Sequence, residues 1–146
     1  MPSRSPVAEI FAYAGDRILT VRMALLIALV AGLGFAVEKP YDLANAAIRV
    51  TLVALLVIQF RLWDDIADRE HDRERHPERV LQRHEGRATP FLVLLGVLTV
   101  PILALLFTFE NAAGRIAAYG ALAAALAVVY GSHATAHGRL MRMGWV

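Results

Sequence analysis

Residues 50–72 read "VTLVALLVIQFRLWDDIADREHD". An apolar run closes on Arg61 and Trp63, and four aspartates follow at once: Asp64, Asp65, Asp68 and Asp72. The apolar half of this stretch bears on the fold, and the acidic half on function. Like charges this close repel, so some compensating interaction must hold them together.

The chain has 146 residues, of which 58% are hydrophobic, and its mean hydropathy is +0.51. Soluble domains run at about 45–50% apolar with glycine included. The excess is also organised. Apolar residues arrive in blocks of roughly 20, the length that crosses a hydrocarbon core. The blocks are residues 18–37, 43–63, 90–109 and 112–131. They predict an all-α, polytopic transmembrane bundle of about four spans, with residues 1–146 forming one membrane domain. A cleaved signal peptide is the rival reading of the first block, but its apolar run is too long and its polar leader too extended.

Within the blocks, Arg49 needs a partner or an aqueous cavity, and Pro101 should kink the third span. The alanine- and glycine-rich fourth block suits close helix packing. There is no cysteine, so disulfides and thiolate metal sites are excluded. A net charge of +2 gives no ground for nucleic-acid binding. With four spans, twelve of the fifteen basic residues fall on the side of the N-terminus, the 64–88 loop and the C-terminus; only Lys39, Arg49 and Arg115 fall on or near the other. That asymmetry predicts an integral, multi-pass membrane protein with its aspartate-rich loop, residues 64–88, in the cytoplasm.

If the second helix continues past Trp63, at about 100° per residue, Asp64, Asp65, Asp68 and Asp72 fall within an arc of about 100°, with Arg75 on the same face. An exposed helix laced with ion pairs is the simplest account of such a run. The spacing argues against it. From Asp64 onward, the i,i+4 pairs Asp64–Asp68, Asp68–Asp72, Arg69–Arg73 and Glu70–Glu74 are like-charged, and only Asp65–Arg69 is opposite. Like pairs at that spacing cost a few tenths of a kcal/mol each. Opposite i,i+3 pairs, such as Asp72–Arg75, soften the repulsion without cancelling it. A carboxylate face of this kind suits a hard cation. Mg²⁺ leads, because it takes one or two carboxylates together with waters and substrate phosphates. Carboxylates at the mouth of an apolar pocket would fit a substrate with a diphosphate head and a hydrocarbon tail.

At these residues the chain resembles the UbiA superfamily of membrane prenyltransferases. The family's first aspartate-rich motif reads N-D-x-x-D-x-x-x-D at the cytoplasmic end of its second transmembrane helix. "DDIADREHD" matches it at Asp65, Asp68 and Asp72, with Asp64 in place of asparagine. "HPERVL", residues 76–81, is similar to the basic-Pro-Arg stretch that follows. The resemblance implies an all-helical fold around a central cavity, of which this chain covers about half. It also implies Mg²⁺-dependent transfer of a prenyl group from an isoprenyl diphosphate donor to a lipophilic, often aromatic, acceptor. Asp65, Asp68 and Asp72 would then be catalytic, all four aspartates would ligate metal, and Asp64, Arg75 and Arg79 would contact the diphosphate. The family's second aspartate-rich motif has no counterpart here, since no aspartate follows Asp72. The chain is therefore expected to be an N-terminal half, inactive by itself.

Two other functions compete. Soluble isoprenyl diphosphate synthases also carry D-D-x-x-D, but membrane-length blocks argue against them. A non-catalytic membrane subunit could bind prenyl diphosphate or lipid head groups through cations, and the missing second motif favours it. Elsewhere, His133 and His137 are one helical turn apart without an acidic third ligand, and read as a polar pair at the membrane edge. His71, His76 and His84 would help neutralise the loop. Tyr119 and Tyr130 read as packing residues with a possible place in the cavity wall, and Gly32 and Gly34 as packing glycines.

Overall fold

The computed structural model describes residues 5–40, 42–68 and 89–142, with backbone alone for 130–142. The described residues form helices and no strand. Helix α1 (Pro6–Tyr13) runs on into a π-helical turn (Ala14–Ile18) and is followed by α2 (Val21–Val37), α3 (Leu43–Ala67), α4 (Thr89–Leu106) and α5 (Ala112–Arg142). Three stretches, α3, α4 and Ala112–Val129 of α5, are long and apolar enough to cross a membrane. Pro6–Ile18 and Val21–Val37 meet at a bend of 68° and add a fourth if counted as one span. The chain is thus an all-helical protein with three to four helices able to span a membrane. Helices are one of the two structures that satisfy every backbone polar group in lipid.

Local chemistry sets the ends. Ser5 caps α1 by accepting from the Ala8 amide, and Pro6 occupies the first turn, where its missing N–H costs nothing. The Leu19 amide donates to the Ala14 carbonyl at 2.8 Å, a bond one residue longer than an α-helical one, and this closes the π turn. Thr20 is extended and caps α2 through the Met23 amide. The first apolar block consequently begins its regular helix at Val21, not at residue 18. Asp42 caps α3, which continues four residues beyond the predicted block, so Asp64–Ala67 are helical and not loop. Pro101 lies inside α4, which runs to Leu106 as one element. Residues 69–88, the bulk of the aspartate-rich loop, lie outside the described residues.

The chain divides into two compact units, 1–105 and 106–146. In the first, packing is inverted relative to a water-soluble domain. Leu25, Leu29 and Leu33 of α2 and Val93, Val97 and Val100 of α4 are exposed, while Glu9, Gln59 and Asp65 are buried. Lipid as solvent accounts for that inversion, because apolar surface gains nothing by leaving it. The helices are tied by polar clamps. Gln59 Nε2 donates to Thr99 Oγ1 at 2.8 Å and to the Leu95 carbonyl at 3.3 Å, joining α3 to α4. Arg49 meets its predicted need for a partner. Its Nε donates to Asn45 Oδ1, Nη1 to the Glu38 carbonyl and Nη2 to Glu38 Oε1 at 2.9 Å, joining α3 to the end of α2.

In the second unit, Asn111 adopts a left-handed backbone (φ 58°) just before α5. A Cβ on Gly114 would stand 2.7 Å from the Asn111 amide nitrogen, so glycine leaves room for that side chain over the first turn. The Arg115 guanidinium lies 4.9 Å from the Phe109 ring centroid, a cation–π contact that braces the turn.

Arg49→Ala should lower stability by about 2 kcal/mol, the scale of charge-assisted hydrogen bonds lost together. Thermal unfolding in detergent would show this as a lower midpoint. An unchanged midpoint would mean that the α2–α3 clamp is not structural.

Candidate functional site

The predicted carboxylates gather where α3 ends. Asp64 and Asp65 lie in its last turn, and Asp68 is the capping residue whose amide donates to the Asp64 carbonyl. This is the negative end of the helix dipole, so each carboxylate adds to an unfavourable field. The last turn holds no basic residue.

Compensation comes from one turn earlier. Arg61 Nη1 donates to Asp64 Oδ2 at 2.9 Å, and Nη2 donates to Asp65 Oδ1 at 2.8 Å. A single guanidinium, with two parallel donors, thereby bridges adjacent carboxylates. Asp65 is buried, at 4% exposure, and its second oxygen accepts from the Tyr13 hydroxyl at 2.9 Å. The Tyr13 ring meets Phe91 edge-on, with centroids 5.4 Å apart, and Leu62 completes this buried cluster. Arg17, in the π turn, adds its positive charge to the field at Asp65. The N-terminal helix and the end of α3 therefore meet at this carboxylate, and the start of α4 packs against the tyrosine that holds it.

The three described aspartates consequently have different environments. Asp65 faces inward with both oxygens engaged, Asp64 is half-buried against Arg61, and Asp68 is exposed. Asp72, Arg75 and Arg79 lie outside the described residues, as do the side chains of Tyr130, His133 and His137. Among the described residues no group of three or more His, Cys, Asp or Glu side chains is placed to hold a metal ion. The oxygen donors suit a hard cation, but the described residues do not by themselves make a site for one, and both Asp65 oxygens already accept a hydrogen bond.

Two residues that organise this region were not singled out in the sequence for that role. Arg61 forms opposite-charge pairs with Asp64 (i,i+3) and Asp65 (i,i+4), so counting charge pairs from Asp64 onward begins one turn too late. Tyr13 sits on a helix whose signal is Ser5-Pro6, a capping residue followed by proline in the first turn. Its pairing across 52 residues has no local signature.

No known protein family, no characterised protein and no solved structure matches this chain in comparison.

Tyr13→Phe keeps the ring against Phe91 and removes only the donor to Asp65. It should cost about 1–3 kcal/mol, the range for leaving a buried acceptor unsatisfied. Denaturant or thermal unfolding in detergent would measure it, and a loss well under that range would mean the hydroxyl does not hold the cluster.

Proposed function

We propose that this chain binds an isoprenyl diphosphate in a Mg²⁺-dependent manner at the aspartate-bearing end of α3, as part of a UbiA-like prenyltransferase. The observation that carries the reading is the placement of successive carboxylates where a membrane-length apolar helix ends. Asp64, Asp68 and Asp72 would hold the head group with Arg75 and Arg79, and the hydrocarbon tail would lie among the apolar helices. Asp65, already tied to Tyr13 and Arg61, would position the others by fixing the end of α3. Mg²⁺ held at such a site neutralises charge on the diphosphate. In prenyl transfer the allylic C–O bond breaks, the diphosphate leaves with its electron pair, and a lipophilic aromatic acceptor bonds to the prenyl carbon and loses a proton. The distribution of basic residues supports a cytoplasmic location for this end.

A second reading is favoured by one observation. Arg61 occupies both Asp64 and Asp65, so part of the negative field is already neutralised inside the protein. That suits a non-catalytic membrane subunit that binds prenyl diphosphate or lipid head groups without turnover.

Farnesyl diphosphate serves as the probe for the purified protein in detergent. Calorimetric binding should require Mg²⁺ and be lost in both Asp68→Ala and Asp72→Ala. Binding unchanged in these variants, or indifferent to chelator, would overturn the site. Release of diphosphate in the presence of an aromatic acceptor would favour the enzyme, and binding without release the subunit.

A further inference from the structure

Helix α1 is amphipathic in the reverse sense of a helix on a water-soluble protein. At about 100° per residue, Val7 and Phe11 share one face, and Glu9 and Tyr13 share the face roughly opposite. The polar pair is the buried one, with Glu9 at 4% and Tyr13 at 1% exposure, whereas Val7 is 61% and Phe11 74% exposed. The inner face is held by the Tyr13–Asp65 hydrogen bond, so the outward direction of Val7 and Phe11 is imposed by the fold. An apolar face held outward calls for an apolar medium.

The exposed apolar surface does not stop at α1. Along the chain, exposed apolar residues follow at Leu19 and Val21 at the bend and at Leu25, Leu29 and Leu33 on α2, the last three spaced one turn apart. That succession points to one medium for both helices, the lipid that surrounds α2. Depth follows from charge and angle. Pro6–Ile18 carries Glu9, Asp16 and Arg17, and Asp16 is exposed. Charged side chains at the centre of a bilayer cost about 2.5–3.5 kcal/mol each even on the mildest scale. The 17 residues of α2 reach about 25 Å, which nearly crosses the hydrocarbon unaided. With α2 tilted by about 20° or less from the bilayer normal, the 68° bend leaves the preceding segment within about 40° of the membrane plane.

We propose that Pro6–Ile18 is an in-plane membrane helix. It is seated at the boundary between head groups and acyl chains, with Val7 and Phe11 in the lipid and Glu9 and Tyr13 turned toward the end of α3. Such a helix binds lipid through its buried apolar face. Its partner is the bilayer interface, and through Tyr13 it sets the depth at which Asp65 lies.

The cysteine-free chain permits single spin labels without removing native thiols. Val7→Cys and Gly15→Cys label two exposed positions of the segment, and a Cβ at Gly15 meets nothing within 4 Å. Leu29→Cys labels the middle of α2. In vesicles of phosphatidylcholine and phosphatidylglycerol, collision rates with oxygen and with a water-soluble nickel chelate give depth. The labels at 7 and 15 should report shallow depths that differ by no more than about 8 Å, the rise between them projected at about 40° from the plane, with oxygen favoured, and the label at 29 a much greater depth. A difference of about 12 Å between 7 and 15, the rise of eight helical residues, would make the segment part of a broken span. Ready contact of both labels with the nickel chelate would place it in water. Either result overturns the proposal. Phe11→Cys repeats the reading on the same outer face if one label perturbs packing.

Discussion

The carboxylate of Asp65 is the constraint around which the first compact unit is arranged. It sits in the last turn of α3, against the negative end of the helix dipole and beside Asp64. Burying an ion there costs several kcal/mol unless its oxygens are satisfied. Arg61 supplies one bond from within α3, and Tyr13 supplies the other from a helix 52 residues away in sequence. Because Tyr13 also stacks edge-on against Phe91, the same residue fastens the N-terminal helix to both α3 and α4. A leucine at position 65 would avoid the charge but would remove the Tyr13 hydrogen bond that ties α1 to α3.

Polar contacts of this kind matter more here than in a water-soluble domain. Between helices in lipid, apolar packing supplies dispersion but no hydrophobic drive, so hydrogen bonds and close fit select the arrangement. Gln59 binds α4 at Thr99 and Leu95, and Arg49 binds the end of α2 at Glu38. With Asp65, these buried or half-buried groups are spaced along α3 at intervals of a few turns. Each fixes a different neighbour: α2 through Arg49, α4 through Gln59, and α1 through Asp65. Three polar residues of the central helix thus tie it to three different neighbours.

How far the fold can be read from sequence follows from the same division. The apolar blocks announce α2 to α5 because a membrane helix needs only length and hydropathy to be recognised. Arg49 likewise announces its own need for a partner, since a guanidinium in an apolar run cannot stand alone. The N-terminal helix was not legible in this way. It is only eight residues long, and Glu9 and Tyr13 face inward while Val7 and Phe11 face outward, which reverses the pattern used to detect a buried face. The aspartates were legible as a cluster but not as individuals. Helical periodicity places Asp64, Asp65 and Asp68 on one arc, yet it says nothing about Tyr13, and Tyr13 is what separates Asp65 from its neighbours.

That separation changes what the motif can mean chemically. Carboxylates on one face of a helix look equivalent in sequence, but a ligand must displace whatever each already holds. At Asp65 it would have to enter a packed cluster whose carboxylate already accepts from a guanidinium and a phenol. Asp68, by contrast, is exposed. The inner carboxylate is therefore placed to hold the helix end, while the outer one lies open to solvent. A helix that carries several acidic residues gains from such a split, because the field created by the outer charges is kept in register by an inner charge whose partners belong to the fold. The Asp65 network then links fold to chemistry directly: whatever approaches Asp68 does so over a helix terminus whose position is fixed by Arg61 and Tyr13.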